Sequence, residues 1–161
     1  TPGFTNHLKL NAKVGSQINV RGPMGVFTVK PDAKRLAYFC TGTGIAPLIS
    51  HIRTLLKAGS TIPITLFFGF KNPDVYLFKE ELEKMAKEHP NFKLEPTITD
   101  EGRDDWQGRK GIFNDFLPEY DFQGKEEIDV YICGNKVMVE AVKGLLPQLG
   151  FKAENIHIEP W

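Results

Sequence analysis

Apolar residues along this chain follow two rhythms. Before residue 31 they come in short, broken groups; beyond it, compact apolar runs alternate with stretches in which apolar residues return every three or four positions. The compact runs at 35–40, 62–68, 92–98, 128–133 and 155–158 predict strands, being short and rich in β-branched and aromatic residues. The stretches between them, 47–57, 75–88, 112–119 and 136–149, predict helices. In the second of these, Val75, Leu77, Phe78, Leu82, Met85 and Ala86 form the apolar stripe, which stops at His89-Pro90 because the residue before proline resists helical geometry. The fourth carries Val137, Val139, Ala141, Val142, Leu145, Leu146 and Leu149, then Gly150 as its C-terminal cap. Strands alternating with helices predict an α/β fold: a doubly wound, five-stranded parallel sheet with right-handed crossovers and helices on both faces. Such sheets bind ligands beyond the carboxyl ends of the strands, where strand order reverses. The residues that follow Cys40, Phe68, Ile98 and Cys133 are therefore the ones to inspect. Upstream, 17–21 and 26–29 predict two short strands joined by the turn Gly22-Pro23-Met24-Gly25.

Composition removes several classes of function. Twenty basic residues balance twenty acidic ones, so no net field draws nucleic acid or an anionic membrane. Cys40 and Cys133 make no disulfide framework, no Cys/His pair has zinc spacing, and no metal site is expected. The apolar runs are too short to span a bilayer and no signal peptide is visible, so a cytoplasmic setting is the default. The chain opens Thr-Pro-Gly-Phe without Met and runs straight into patterned sequence, which predicts a piece of a longer protein.

Two segments carry candidate chemistry. Thr41-Gly42-Thr43-Gly44-Ile45-Ala46-Pro47 leaves the first strand of the alternating region with two glycines, then opens a helix with Pro47 in its first turn. Backbone amides at such a helix start suit a pyrophosphate. It is neither the G-x-G-x-x-G fingerprint, since Pro47 stands at the third glycine, nor a Walker loop. By itself it is either a tight turn or a nucleotide site. After the fourth strand comes Cys133-Gly134-Asn135-Lys136-Val137-Met138, either a buried cysteine before a turn or a place where a flat ring approaches a thiol. Two such turns side by side at the switch point favour the ligand reading of both. The four histidines are scattered, and Glu80, Glu81 and Glu83 interleave with lysines as a solvated helical face.

These two segments, with Gly69, Leu77-Phe78-Lys79-Glu80-Glu81-Leu82 and Trp106-Gln107-Gly108-Arg109-Lys110-Gly111 between them, resemble the signatures of the ferredoxin-NADP reductase superfamily. The resemblance runs over essentially all of 31–161. It implies an NAD(P)H-binding domain there, preceded in 1–30 by the C-terminal remnant of a β-barrel flavin domain, with FAD bound in the intact parent. It implies that Thr43 and Cys133 border the nicotinamide and that Trp161 covers the flavin, these three forming the catalytic set. Gly42, Gly44, Ile45, Pro47, Gly69, Gly134 and Met138 would surround the nucleotide, and Gly3, Thr5 and Asn6 would touch the FAD. The family's upstream Arg-x-Tyr flavin motif is absent, which places FAD retention in question. Asp100, in Thr99-Asp100-Glu101-Gly102-Arg103, is expected to repel a 2′-phosphate and accept the ribose diol, favouring NADH over NADPH; Lys71, Arg103 and Arg109 pull the other way. The implied function is hydride transfer from NAD(P)H to FAD, then electrons onward to a ferredoxin-like, haem or oxygenase component. The alternatives are a redox-inert NAD(P)-binding module and an interaction subunit that kept the fold. The glycines at 42, 44 and 134 argue against the latter, since nothing but close approach of a ligand demands them all.

Overall fold

Alternate residues of the first strand are all buried, yet they enter different cores. Leu36, Tyr38 and Cys40 join one hydrophobic cluster, Ala37 and Phe39 another. A strand covered on both faces requires that division. A computed structural model describes residues 3–22 and 24–159. Its strands are β1 (Arg35–Thr41), β2 (Ile64–Phe70), β3 (Phe92–Ile98), β4 (Arg109–Lys110), β5 (Ile128–Cys133) and β6 (Ile156–Glu159). They form one sheet in the order β4-β3-β2-β1-β5-β6, and every pairing is parallel. Strand order reverses between β1 and β5, where Cys40 lies in register with Cys133.

Apart from α1 (Phe4–Asn11), which buries no residue, the main helices divide between the faces. Helix α2 (Ile45–Lys57) buries Ile45, Leu48, Ile49, Ile52 and Leu56, and α3 (Lys79–Glu88) buries Leu82, against the face that carries Tyr38, Leu66 and Phe68. On the other face α4 (Phe113–Phe116) and α5 (Lys136–Leu145) pack Phe113, Phe116, Val139 and Val142 against Phe39, Phe67 and Val130. The Phe39 and Phe67 rings stack at 4.6 Å across neighbouring strands. The doubly wound α/β fold is therefore as the alternation predicted.

Three expectations need correction. The sheet has six strands, not five: Arg109–Lys110 adds a two-residue edge strand beside Thr97 and Ile98. It is too short and too polar to leave an apolar run. The helix expected over 75–88 begins only at Lys79; Pro73–Val75 is a separate 3-10 turn capped by Asn72, whose side chain accepts the Asp74 N–H. Between the two lies Phe78 in the left-handed region, φ 56°. The third concerns the start of the chain. Neither 17–21 nor 26–29 forms a strand, and the helix α1 stands ahead of them instead. Pro23, in the turn expected between them, lies outside the described residues. A strand without neighbours cannot pair its backbone groups, and so few strands cannot close a barrel.

What does hold the approach to β1 is a set of side chains from the α/β domain. The Tyr131 hydroxyl accepts the Lys30 N–H at 3.0 Å and donates to the Thr28 carbonyl at 3.2 Å. His51 Nε2 meets the Phe27 carbonyl at 3.0 Å, and Lys30 pairs with Asp129 at 2.8 Å.

Candidate functional site

At the carboxyl ends of β1, β2 and β5 a cavity of about 660 Å3 opens, within the usual range for cofactor sites of about 300–1,000 Å3. Gly42, Thr43 and Gly44 form a 3-10 turn on one side, Gly134 and Asn135 stand beside it, and Gly69, Phe70 and Lys71 supply the end of β2. Val75, Leu77 and Thr99 close the outer wall. The two turns are braced together: Thr41 Oγ1 accepts the Asn135 N–H at 3.2 Å and Asn135 Nδ2 at 3.1 Å. Asn135 Oδ1 in turn accepts the Met138 N–H at 2.9 Å, capping α5. One asparagine thus starts a helix and ties it to the neighbouring strand β1.

The glycines have distinct reasons. A Cβ on Gly44 would collide with the Cys133 carbonyl group, 2.6 Å from its carbon, and one on Gly134 would lie 2.6 Å from Met138 Cε and 2.9 Å from the Thr41 nitrogen. Those two positions are dictated by the packing of one turn on the other. Gly42 is different: nothing lies near its missing Cβ, and its φ of 52° is left-handed. The premise that only ligand approach requires all three glycines therefore fails for Gly44 and Gly134. Mutual packing of the turns accounts for them.

Most residues expected at the site gather there. Gly42, Thr43, Gly44, Gly69 and Gly134 line the cavity, and Thr43 is exposed on it. Met138 lines a second cavity, of about 150 Å3, that shares Thr41, Gly69, Thr99 and Asn135 with the first. Ile45 is buried in the core and Pro47 half-buried in the first turn of α2. Cys133 is fully buried within the core cluster that contains Cys40, so the turn beyond it, rather than its thiol, forms the cavity surface. Burial, reinforced by Cys133, pushes the Cys40 thiol well above the ordinary range. Thr99, not Asp100, lines the cavity; the Asp100 N–H donates to the Lys71 carbonyl at 2.9 Å. Gly3, Thr5 and Asn6 are exposed at α1 and line neither cavity. Trp161 lies outside the described residues.

Sequence patterning does not single out several of the cavity residues. Val75 and Leu77 read as a helical core stripe, yet both are exposed and face the cavity. The Asn72-Pro73 pair is the available signal, since it marks a turn before any helix. The partner role of Thr41 and Asn135 has no sequence signature.

Charge in the segment after β3 and in β4 is largely tied up. Arg103 grips Asp105 with two nitrogens, at 2.7 and 2.6 Å, and Asp74 with a third at 2.7 Å. Hydrogen bonding to Arg103 holds both carboxyls below the usual carboxylate range. The Arg109 guanidinium lies 4.1 Å over the Phe116 ring, and Lys110 donates to the Glu101 carbonyl at 2.8 Å. Among the described residues no helix is long and apolar enough to cross a membrane.

A parallel doubly wound sheet with paired glycine turns at its switch point defines a class, the nucleotide-binding α/β domains. Comparison with known proteins narrows it: the model of the oxidoreductase NAD-binding domain family matches residues 39–144, and the chain belongs to that family. It is 31% identical over 163 residues to one subunit of the Na(+)-translocating NADH-quinone reductase of Klebsiella pneumoniae, covering 98% of this chain and 40% of that protein. The chain thus spans about two fifths of the length of that curated relative. Among solved structures, the FAD/NAD-binding domain of a nitric oxide dioxygenase from Vibrio cholerae superposes with a TM-score of 0.88 at 24% identity, over 99% of this chain and 65% of that one. A cytochrome P450 reductase from Amycolatopsis gives 0.75 at 27% identity, over 86% and 42%. The chain therefore carries an NAD-binding domain of the oxidoreductase type.

Proposed function

We propose that this chain is the NAD(P)H-binding part of a flavoprotein reductase that delivers electrons to a separate redox protein or domain, in a cytoplasmic setting. The observation that carries the reading is the cavity at the β1/β5 switch point, framed by the Thr41–Gly44 and Gly134–Asn135 turns. When bound, the nicotinamide supplies a hydride that an FAD held by the rest of the protein accepts. The chain's own residues do simpler things. Gly42 opens room for the nucleotide backbone, Thr43 presents a hydroxyl to it, and the Thr41–Asn135 brace holds both turns at a fixed separation. Cys133 positions the second turn through its carbonyl against Gly44, not through an accessible thiol.

In this reading residues 1–30 end a preceding flavin domain and 31–161 form the nucleotide domain. The exposure of Val14, Val20, Val26 and Met24 supports it, because such a row of bare apolar side chains suits a surface that another domain covers. NADH is favoured over NADPH: Arg103, Arg109 and Lys110 are all engaged, so a 2′-phosphate would have to displace existing contacts. Asp100 stays the candidate for the ribose diol, next to the cavity-lining Thr99.

A rival reading, an interaction subunit that kept the fold and lost the nucleotide, is favoured by the turn-to-turn packing, which explains Gly44 and Gly134 without any ligand. Calorimetric titration of the chain with NADH and NADPH separates the two. Saturable binding, tighter for NADH, is the expected outcome; absence of binding by both nucleotides would sink the reductase reading in favour of its rival.

A further inference from the structure

Among the described residues that line the larger cavity, Lys71 alone carries a formal charge, and no carboxylate lines it. Its backbone is fixed from both sides. The Asp100 N–H bonds its carbonyl at 2.9 Å, and the preceding Phe70 is buried and stacked on Tyr76 at 4.3 Å. Its side chain is exposed, and among the described residues the ammonium has neither an ion-pair nor a hydrogen-bond partner. This sets it apart from Arg103 and from Arg109 and Lys110 of β4, each of which is occupied. Register places it beside the glycine turn: Gly69 pairs with Thr41, and Lys71 follows two residues later, one strand over from Gly42.

We propose that Lys71 is the counter-charge for the diphosphate of the bound dinucleotide, an inference that rests on the nucleotide reading above. Amide dipoles of the Gly42–Gly44 turn can satisfy phosphate oxygens but cannot neutralise their formal charge. A cation on an anchored backbone with a mobile head does so without being desolvated beforehand, because it stays in water until the ligand arrives. The attraction then acts where the nucleotide has expelled solvent, so it is stronger than a surface ion pair.

The test is titration of the full 161-residue chain with adenosine, ADP, 2′-AMP and NADH, for the wild type, Lys71→Met and Lys71→Arg. Lys71→Met should weaken ADP and NADH by about tenfold or more, leave adenosine unchanged, and abolish most of the salt dependence of ADP binding. Lys71→Arg should recover most of the affinity. Equal ADP affinity in wild type and Lys71→Met overturns the assignment. So does a loss shared equally by adenosine, which would mark a structural effect, or a loss confined to 2′-AMP, which would move the charge to the ribose. Should the wild type bind neither ADP nor NADH, the nucleotide reading itself fails and takes this one with it. That result differs from all the others by appearing before any substitution is made.

Discussion

Gly42 and Gly44 sit two residues apart in one turn and answer to different forces, which makes them separable by substitution. Gly44→Ala pushes a methyl into the Cys133 carbonyl, a backbone atom that cannot swing aside, and overpacking of that kind costs about 3 kcal/mol. Gly42→Ala meets open space and suffers only its left-handed φ, about 1 kcal/mol. Thermal denaturation of the two variants should therefore rank Gly44→Ala well below Gly42→Ala. Equal melting temperatures would refute the interlocked-turn account. At this scale the sequence shows which residues surround the cavity better than it shows why. Gly42, Thr43, Gly44 and Gly134 are visible as motifs, whereas the hydroxyl–amide brace between Thr41 and Asn135 joins positions 94 residues apart and leaves no local trace. The same holds for Lys71, since an unpaired lysine reads like any solvated one until its neighbours are in place.

The long strands are legible in the sequence: β1, β2 and β5, buried almost throughout, and β3, buried mainly at its ends, match expectation to within two residues at each end. Elements decided by partners are not. The edge strand β4 exists because Thr97 and Ile98 offer it a ladder, and a buried side chain secures the following turn: Thr97 Oγ1 donates to the Gly111 carbonyl at 2.9 Å. Thr97→Val keeps shape and removes that donor, leaving a buried carbonyl unmatched. A loss of about 1–2 kcal/mol in chemical denaturation, with faster amide exchange at Gly111, is expected. The onset of α3 is hidden for another reason. Val75, Leu77 and Phe78 mimic a helical stripe in spacing, but the Asn72-capped turn and the left-handed Phe78 break the helix and direct Val75 and Leu77 toward the cavity.

On the scale of the whole molecule, the segment entering β1 is held by Tyr131, Asp129 and His51, each from the α/β domain. His51 makes that attachment sensitive to acid. Burial lowers its pKa from 6.5, outweighing the opposing effect of the Phe27 carbonyl, and its Nδ1 is buried without a partner. Below pH 6.5 the unfolded chain binds a proton that the folded chain resists, so stability falls as pH drops, while well above 6.5 this group contributes no pH dependence. Melting curves between about pH 7.5 and about pH 5 should show a steeper loss in wild type than in His51→Gln, and parallel losses would remove His51 from the account.

The span between Thr41 and Asn135 has a consequence for how such a chain is made. A ribosome completes β1, β2 and β3, with the glycine turn after Cys40 and Lys71 beyond β2, long before it reaches Gly134. Until residue 135 has emerged, one wall of the cavity does not exist, and the hydroxyl of Thr41 has no amide to receive. A nascent or prematurely terminated chain can therefore assemble most of the sheet and still offer a nucleotide no complete berth. Ligand binding stabilises only finished copies, so within a mixed population of newly synthesised chains the cofactor itself sorts complete molecules from incomplete ones.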